Sequence, residues 1–257
     1  MRETALITGA TSGIGYALSR IFAEKGYDLV LVARTEEKLN RISEEFSTRH
    51  GTHARAVPMD LTAPSAPEEL HERLAVEGIQ IDVLVNSAGI ALHGKFSESS
   101  AERQRNLIQL NIASPTQLCR LFGADMAGRG NGRILNVSST AAFQAGPFLS
   151  TYYASKAYLL LFSEALHREF KRDGVTVTAL CPGPTRTEFF QRNDISRTRL
   201  DRSPLMMDAA RVAEAGFSAM MAGKPLAIPG AMNKLLVFLV RLSPRRTAAS
   251  VAGFLNR

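Results

Sequence analysis

Seven short apolar runs are spaced along this chain with helix-length stretches between them, and that alternation limits the fold more than any other feature. The runs are Thr4–Thr8, Asp28–Ala33, Ala54–Pro58, Asp82–Asn86, Gly132–Ser138, Val175–Cys181 and Leu226–Pro229. Between them the pattern predicts helices from Gly15 to about Gly26, over Glu36–Arg49, Glu68–Val76, Glu98–Met126 and Thr151–Lys171, and from an Asp208 N-cap to about Met221. Crossovers of that length join parallel strands, and a parallel sheet is covered by helices on both faces. The expected class is therefore α/β, a doubly wound parallel sheet. No linker or internal repeat interrupts it, so residues 1–257 are read as one domain.

Ligands of such sheets sit at the carboxyl ends of the strands. The first run ends in Gly9-Ala-Thr-Ser-Gly13-Ile-Gly15. Glycines there let backbone approach a pyrophosphate, and the following helix offers its free N–H groups. Taken alone, the spacing also fits a plain tight turn. The second run ends in Ala33-Arg34, where an acid for a ribose 2′-hydroxyl would be expected in an NAD-binding chain. A small residue and a cation instead suit a 2′-phosphate, which points to NADP(H). The competing reading makes Arg34 a solvated loop residue and gives the ribose to Glu36 or Glu37. Asp60 closes the third run, either as acceptor for an adenine amine or as a turn acid. Asn86-Ser-Ala-Gly89 closes the fourth with small residues past which a cofactor can run.

Tyr152 and Lys156 stand four residues apart, one turn apart on one helix face. An ammonium beside a phenol favours the phenolate, so the expectation is a Tyr152 pKa below its free value of about 10. Such a phenol can exchange a proton near neutral pH. Ser139, at the end of the fifth run, can hold a substrate oxygen next to it. On its own the Tyr-x-x-x-Lys pair equally describes a solvated helix face. Asn111 lies mid-helix in a chain position that disfavours asparagine. It marks either a kink whose freed carbonyl binds water or a core amide satisfied by backbone. Pro115 should bend or break the same helix.

Together these residues resemble the short-chain dehydrogenase/reductase family. The matches are Thr8-Gly-x-x-x-Gly-x-Gly15, Asp60, Asn86-x-Ala-Gly89, Asn111, Ser139, Tyr152-x-x-x-Lys156 and Pro182-Gly183, in order over about residues 4–190. Ser87 departs from the family's usual second asparagine. The resemblance implies a Rossmann fold with seven parallel strands and an Asn111–Ser139–Tyr152–Lys156 tetrad. By that analogy Tyr152 gives and takes the proton, and Ser139 orients the carbonyl. Lys156 binds the nicotinamide ribose and lowers the tyrosine pKa, and Asn111 holds a water in a proton relay. Cofactor contacts are implied for Gly9, Thr11, Ser12, Gly13, Ile14, Gly15, Arg34, Asp60, Leu61, Asn86, Ala88, Gly89, Tyr152, Lys156, Pro182, Gly183, Thr185 and Thr187. Thr185 would touch the carboxamide and Thr187 the phosphates. The implied activity is NADP(H)-dependent, reversible hydride transfer on a small-molecule carbonyl or alcohol. A 3-oxoacyl-thioester reductase is the runner-up, and a non-catalytic NADPH-binding sensor or scaffold is the reading from another class. A homodimer or homotetramer is expected.

The remaining features are less specific. Residues 183–207 lack a period and are read as a substrate lid, with Phe189, Phe190, Arg192, Arg197, Arg199 and Arg202 in it. Phe143, Phe148, Phe189 and Phe190 suggest an apolar substrate, or are ordinary core aromatics. His93 either faces the pocket or is a plain loop histidine. Residues 230–257 form a C-terminal helical extension. Its apolar segment, Lys234–Leu242, has four readings: a core or subunit-interface helix, a cover over the substrate pocket, a membrane-surface helix aided by Lys234, Arg241, Arg245 and Arg246, or a buried segment with no role. Cys119 and Cys181 have no zinc-site spacing, so no metal is expected. The net charge of +7 comes without a Lys/Arg run carrying aromatics, which argues against nucleic acid. The N-terminus shows no signal-peptide pattern, so a cytoplasmic location is expected.

Overall fold

Strands buried on both faces need apolar side chains at every position. Leu29–Val32 in β2 (Asp28–Ala33) and Val83–Val85 in β4 (Val83–Asn86) meet that demand in the computed structural model, which describes residues 2–193, 195, 198–201, 203 and 205–257. Arg197 and Arg202 lie outside the described residues. The other sheet strands are β1 (Thr4–Thr8), β3 (Ala54–Pro58), β5 (Gly132–Val137), β6 (Val175–Leu180) and β9 (Leu226–Ala227). Two short strands, β7 (Thr185–Arg186) and β8 (Met207–Asp208), pair with each other in a separate ribbon. The seven-stranded sheet has the order β3-β2-β1-β4-β5-β6-β9, and every pairing is parallel. The order reverses between β1 and β4, where a doubly wound sheet opens its crevice.

Successive strand residues point to opposite faces. Leu29 and Leu31 therefore join the core beneath α1 (Gly13–Glu24), α2 (Glu36–His50) and α8 (Ala209–Met221). Val30 and Val32 join the core beneath α3 (Ala66–Val76) and α5 (Ser114–Arg129). The remaining helices are α4 (Ala101–Ile108), α6 (Ser150–Phe170), α7 (Phe189–Arg192), α9 (Ala231–Leu242) and α10 (Arg245–Leu255). Asp208 caps α8, its Oδ1 accepting from Ala210 N at 2.8 Å.

The single long helix expected over Glu98–Met126 is divided. A 3-10 turn at Phe96–Glu98 precedes α4, and a π-helical turn, Gln109–Ala113, joins α4 to α5. Pro115 cannot donate an N–H, and the ladder widens one turn before it instead of breaking. The aperiodic stretch 183–207 contains β7, α7 and the start of β8.

Candidate active site

The site begins where β1 turns into α1. Gly9 has a φ of 69°, a left-handed conformation that a side chain disfavours. A Cβ on Gly15 would sit 2.3 Å from the Gly9 carbonyl oxygen, so backbone packs on backbone there. Ser12 precedes α1, its side chain makes no capping hydrogen bond, and no acid stands in the first turn. The N–H groups that open α1 are left for an anion. Thr8 Oγ1 accepts from Ser87 N at 3.0 Å and Ala88 N at 3.1 Å, which locks the end of β1 to the loop after β4. Thr187 packs on the same turn: a Cβ on Gly13 would lie 3.0 Å from its methyl group. This uncapped helix start in a glycine cradle fits the pyrophosphate of a dinucleotide.

A cavity of about 830 Å³ extends from that turn. Gly9, Thr11, Ser12, Gly13, Ile14 and Gly15 form one end of its wall, followed by Arg34, Asp60, Leu61, Ala88 and Gly89. Ser139, Tyr152, Lys156, Pro182, Gly183, Thr185 and Thr187 line it as well. Asp60 also serves its own turn, its Oδ1 accepting from Thr62 N at 3.0 Å and Thr62 Oγ1 at 2.9 Å. Arg34 is exposed at the rim and makes no hydrogen bond or ion pair with the described residues.

Tyr152 stands in the first turn of α6, its ring centroid 5.6 Å from that of Phe189. The Lys156 ammonium lies 5.7 Å from the Tyr152 ring centroid and donates to the Val137 carbonyl at 2.8 Å. Ser139 Oγ accepts from Ala141 N at 3.1 Å, at the start of a 3-10 turn, Thr140–Phe143. Burial pushes the Tyr152 phenol well above its usual range, and the Ser139 hydroxyl pulls it only part of the way back. Burial also lowers Lys156 to about 8. The expectation of a phenol made acidic by its ammonium is therefore corrected for the protein's own groups: desolvation is the largest influence on both side chains. Cys181, beside Ser138 and Ser139, is pushed up to about 12 by burial and is a packing thiol.

Two expected site residues stand behind the wall instead of lining it. Asn86 is buried and donates to Asn136 Oδ1 at 2.8 Å and to Cys119 Sγ at 3.4 Å. Its Oδ1 has no hydrogen-bond partner, and its side chain does not reach the cavity. Asn111, in the π turn, accepts from Ile90 N at 3.0 Å and donates to Ile90 O at 2.8 Å and Ser155 Oγ at 3.0 Å. That is the backbone-satisfied core amide. It nonetheless flanks the site, since a Cβ on Gly89 would meet Asn111 Oδ1 at 3.3 Å and Lys156 Nζ at 3.5 Å.

Sequence reasoning missed part of the far wall. Asn193 lines it and accepts from Ala91 N at 2.8 Å, holding the segment after α7 to the loop after β4. Leu236 and Val240 of α9, and Val251 and Leu255 of α10, line it as well. The cover over the pocket, one of the four readings of Lys234–Leu242, describes the face of α9 that carries Leu236, Val237 and Val240, while Leu235, Phe238, Leu239 and Leu242 are exposed. The unbroken apolar stretch was the available signal, but it has no period to show which side faces in. Phe189 and Phe190 line the cavity, whereas Phe143 and Phe148 do not. His93 is structural: its Nε2 lies 2.7 Å from the Asn256 carbonyl oxygen.

Residues 3–197 match the family model of short chain dehydrogenases. The 17-beta-hydroxysteroid dehydrogenase type 3 of Mus musculus is 39% identical over 185 residues, covering 71% of this chain and 60% of its own. The very-long-chain 3-oxoacyl-CoA reductase of Anas platyrhynchos is 33% identical over 184 residues, covering 69% of this chain and 58% of its own. This chain thus spans about 60% of the length of those relatives. A solved short-chain dehydrogenase from Sphingobium yanoikuyae, in complex with NADPH, is 32% identical with a TM-score of 0.84. That similarity covers 93% of this chain and 94% of the other.

Proposed function

This chain belongs to the short chain dehydrogenase family, and from that membership we propose that it moves a hydride reversibly between NADP(H) and the carbonyl or alcohol carbon of an apolar small molecule. One observation carries the reading: Ser139, Tyr152 and Lys156 share a cavity wall with a glycine turn that opens an uncapped helix. When bound, the nicotinamide supplies or accepts the hydride at the substrate carbon. The turn from Gly9 to Gly15 would hold the pyrophosphate, with Thr187 beside it, and Arg34 the 2′-phosphate. Asp60 would face the adenine, Thr185 the carboxamide, and Lys156 the ribose.

The chain's own chemistry is proton handling. Tyr152 is neutral at pH 7 because burial disfavours its phenolate, so it carries the proton that reduction requires. Ser139 donates to the carbonyl oxygen and orients it. As the carbon gains the hydride, the oxygen takes the proton of Tyr152 and the alcohol forms. The Lys156 ammonium, 5.7 Å from the ring centroid, stabilises the phenolate left behind. Asn111, across Gly89 from Lys156, would hold the loop after β4 in place beside that ammonium through its two bonds to Ile90. Oxidation runs the same steps backward and needs the phenolate at the start.

Phe189, Phe190, Leu236 and Val240 in the wall support an apolar substrate. The segment 183–207 is the proposed lid, joined to α2 by Lys38 and Glu188 at 3.5 Å. A second reading, a 3-oxoacyl-thioester reductase, is favoured by two cations in the same wall, Arg192, paired with Glu188, and Arg199, held by the Phe254 carbonyl at 2.8 Å, near which an anionic tail could lie. Stopped-flow NADPH oxidation against steroid ketones, aromatic ketones and 3-oxoacyl thioesters of increasing length tests both. Turnover of at least one class is expected. NADPH binding with no turnover of any class would instead support the sensor reading.

A further inference from the structure

We propose that α9 and α10 form a docking face for an anionic lipid bilayer. Of the fifteen large apolar side chains exposed among the described residues, nine belong to these two helices. Phe238, Leu242 and Phe254 are 57%, 68% and 59% exposed. Residues that apolar rarely face water together in a tenth of a soluble chain unless something covers them.

The charges on the same helices identify the cover. From residue 215 to residue 257 the chain has no Asp or Glu, while Lys234 and Arg241 of α9 and Arg245 and Arg246 at the start of α10 are exposed cations on the same two helices, Arg241 also lying over the Phe143 ring at 5.6 Å. A second copy of these helices would bring cations together, and like-charge juxtaposition opposes association. An anionic bilayer matches both parts, with acyl chains for the apolar side chains and headgroups for the cations. The helices are 12 and 11 residues long, and no helix among the described residues is long and apolar enough to cross a membrane. Docking is therefore in the plane of the interface. Leu236 and Leu255 line the cavity and are also exposed, so the face continues into the cavity wall. If the substrate is apolar, as proposed above, this face opens toward the phase that dissolves it. Docking itself does not depend on that reading.

The test is co-sedimentation of the full chain with phosphatidylcholine vesicles, with and without phosphatidylglycerol, alongside size-exclusion chromatography. The chain should pellet with the anionic vesicles and stay largely in solution with the neutral ones. Lys234→Gln, Arg245→Gln and Arg246→Gln together should weaken that binding on the order of a hundred-fold. Phe238→Ser with Leu242→Ser, neither of which lines the cavity, should weaken it roughly ten-fold or more. Circular dichroism reports that each variant is folded, and the charge set stands if the apolar set is not. A wild-type chain that stays in solution with anionic vesicles overturns the proposal. So does binding indifferent to both sets, or a dimer that Phe238→Ser with Leu242→Ser converts to monomer.

Discussion

The Tyr153 hydroxyl donates to the Asn256 side-chain oxygen at 3.1 Å, fastening the end of α10 to the residue beside Tyr152. Asn256 is fully buried, and its Nδ2 donates to the Pro147 carbonyl at 2.8 Å. Its own carbonyl meets the His93 ring. One residue thus ties α6 and two loops near the site to the C-terminal helices, and burial makes each of those bonds necessary.

Asn256→Ala leaves Tyr153 Oη and the Pro147 carbonyl without their partner. The expected loss is about 1–3 kcal/mol of stability, read by urea unfolding. KM for an apolar ketone should rise more than kcat falls, because α10 supplies Val251 and Leu255 to the cavity wall and no group to the proton transfer. Unchanged stability and KM would show that the clasp is incidental.

Arg34 makes no ion pair with the described residues, so its guanidinium is available at the rim. A charge-assisted hydrogen bond contributes roughly 1.5–3 kcal/mol, and its loss in Arg34→Ala should weaken NADPH binding about ten- to a hundred-fold. NADH binding should hardly move. Calorimetric titration of both cofactors decides this, and an unaltered NADPH constant would remove the basis for the NADP(H) preference.

Gly15→Ala places a methyl group 2.3 Å from the Gly9 carbonyl oxygen, which is backbone and cannot rotate away. Relief requires the turn to open, at roughly 1–3 kcal/mol or more. The variant should melt lower and bind NADPH more weakly. A variant as stable and as tight as the wild type would show that the turn is not close-packed.

Burial lowers Lys156 to about 8 from an ordinary 10.5. Between those values the unfolded chain binds more protons than the folded one, so this group makes stability rise with pH. Below about pH 8 both states are protonated, and the cost of burying the ammonium is present in full. Tyr152 works the other way only above about pH 10, where the unfolded phenol ionises and the folded one does not. Urea titrations should show the wild type gaining roughly 1 kcal/mol per pH unit on Lys156→Met between about pH 8 and 10. A pH-independent difference would contradict a buried ammonium.

Much of this was legible in the sequence, for a physical reason. Strands buried on both faces show as apolar runs, so β1 and β2 fall at the expected residues, as does the partly buried edge strand β3, and the ligand-facing side chains follow at the strand ends. The π turn at Gln109–Ala113 was not legible, because a single widened turn hardly disturbs an apolar period. Asn86 reads as a cofactor contact until its register partner is known. It lies opposite Asn136 in the β4–β5 pair, and its Nδ2 donates to Asn136 Oδ1 inside the core. The spacing of Tyr152 and Lys156 gave their shared face but not their desolvation, which depends on everything packed around them.

The most direct test of the account is single-turnover hydride transfer from NADPH in Tyr152→Phe, with NADPH affinity measured on the same sample. Removing one hydroxyl should leave the affinity near that of the wild type and slow transfer by at least about 10²-fold, the usual contribution of a positioned acid. Transfer at the wild-type rate, with a ketone the wild type reduces, would contradict the assignment of the proton to Tyr152.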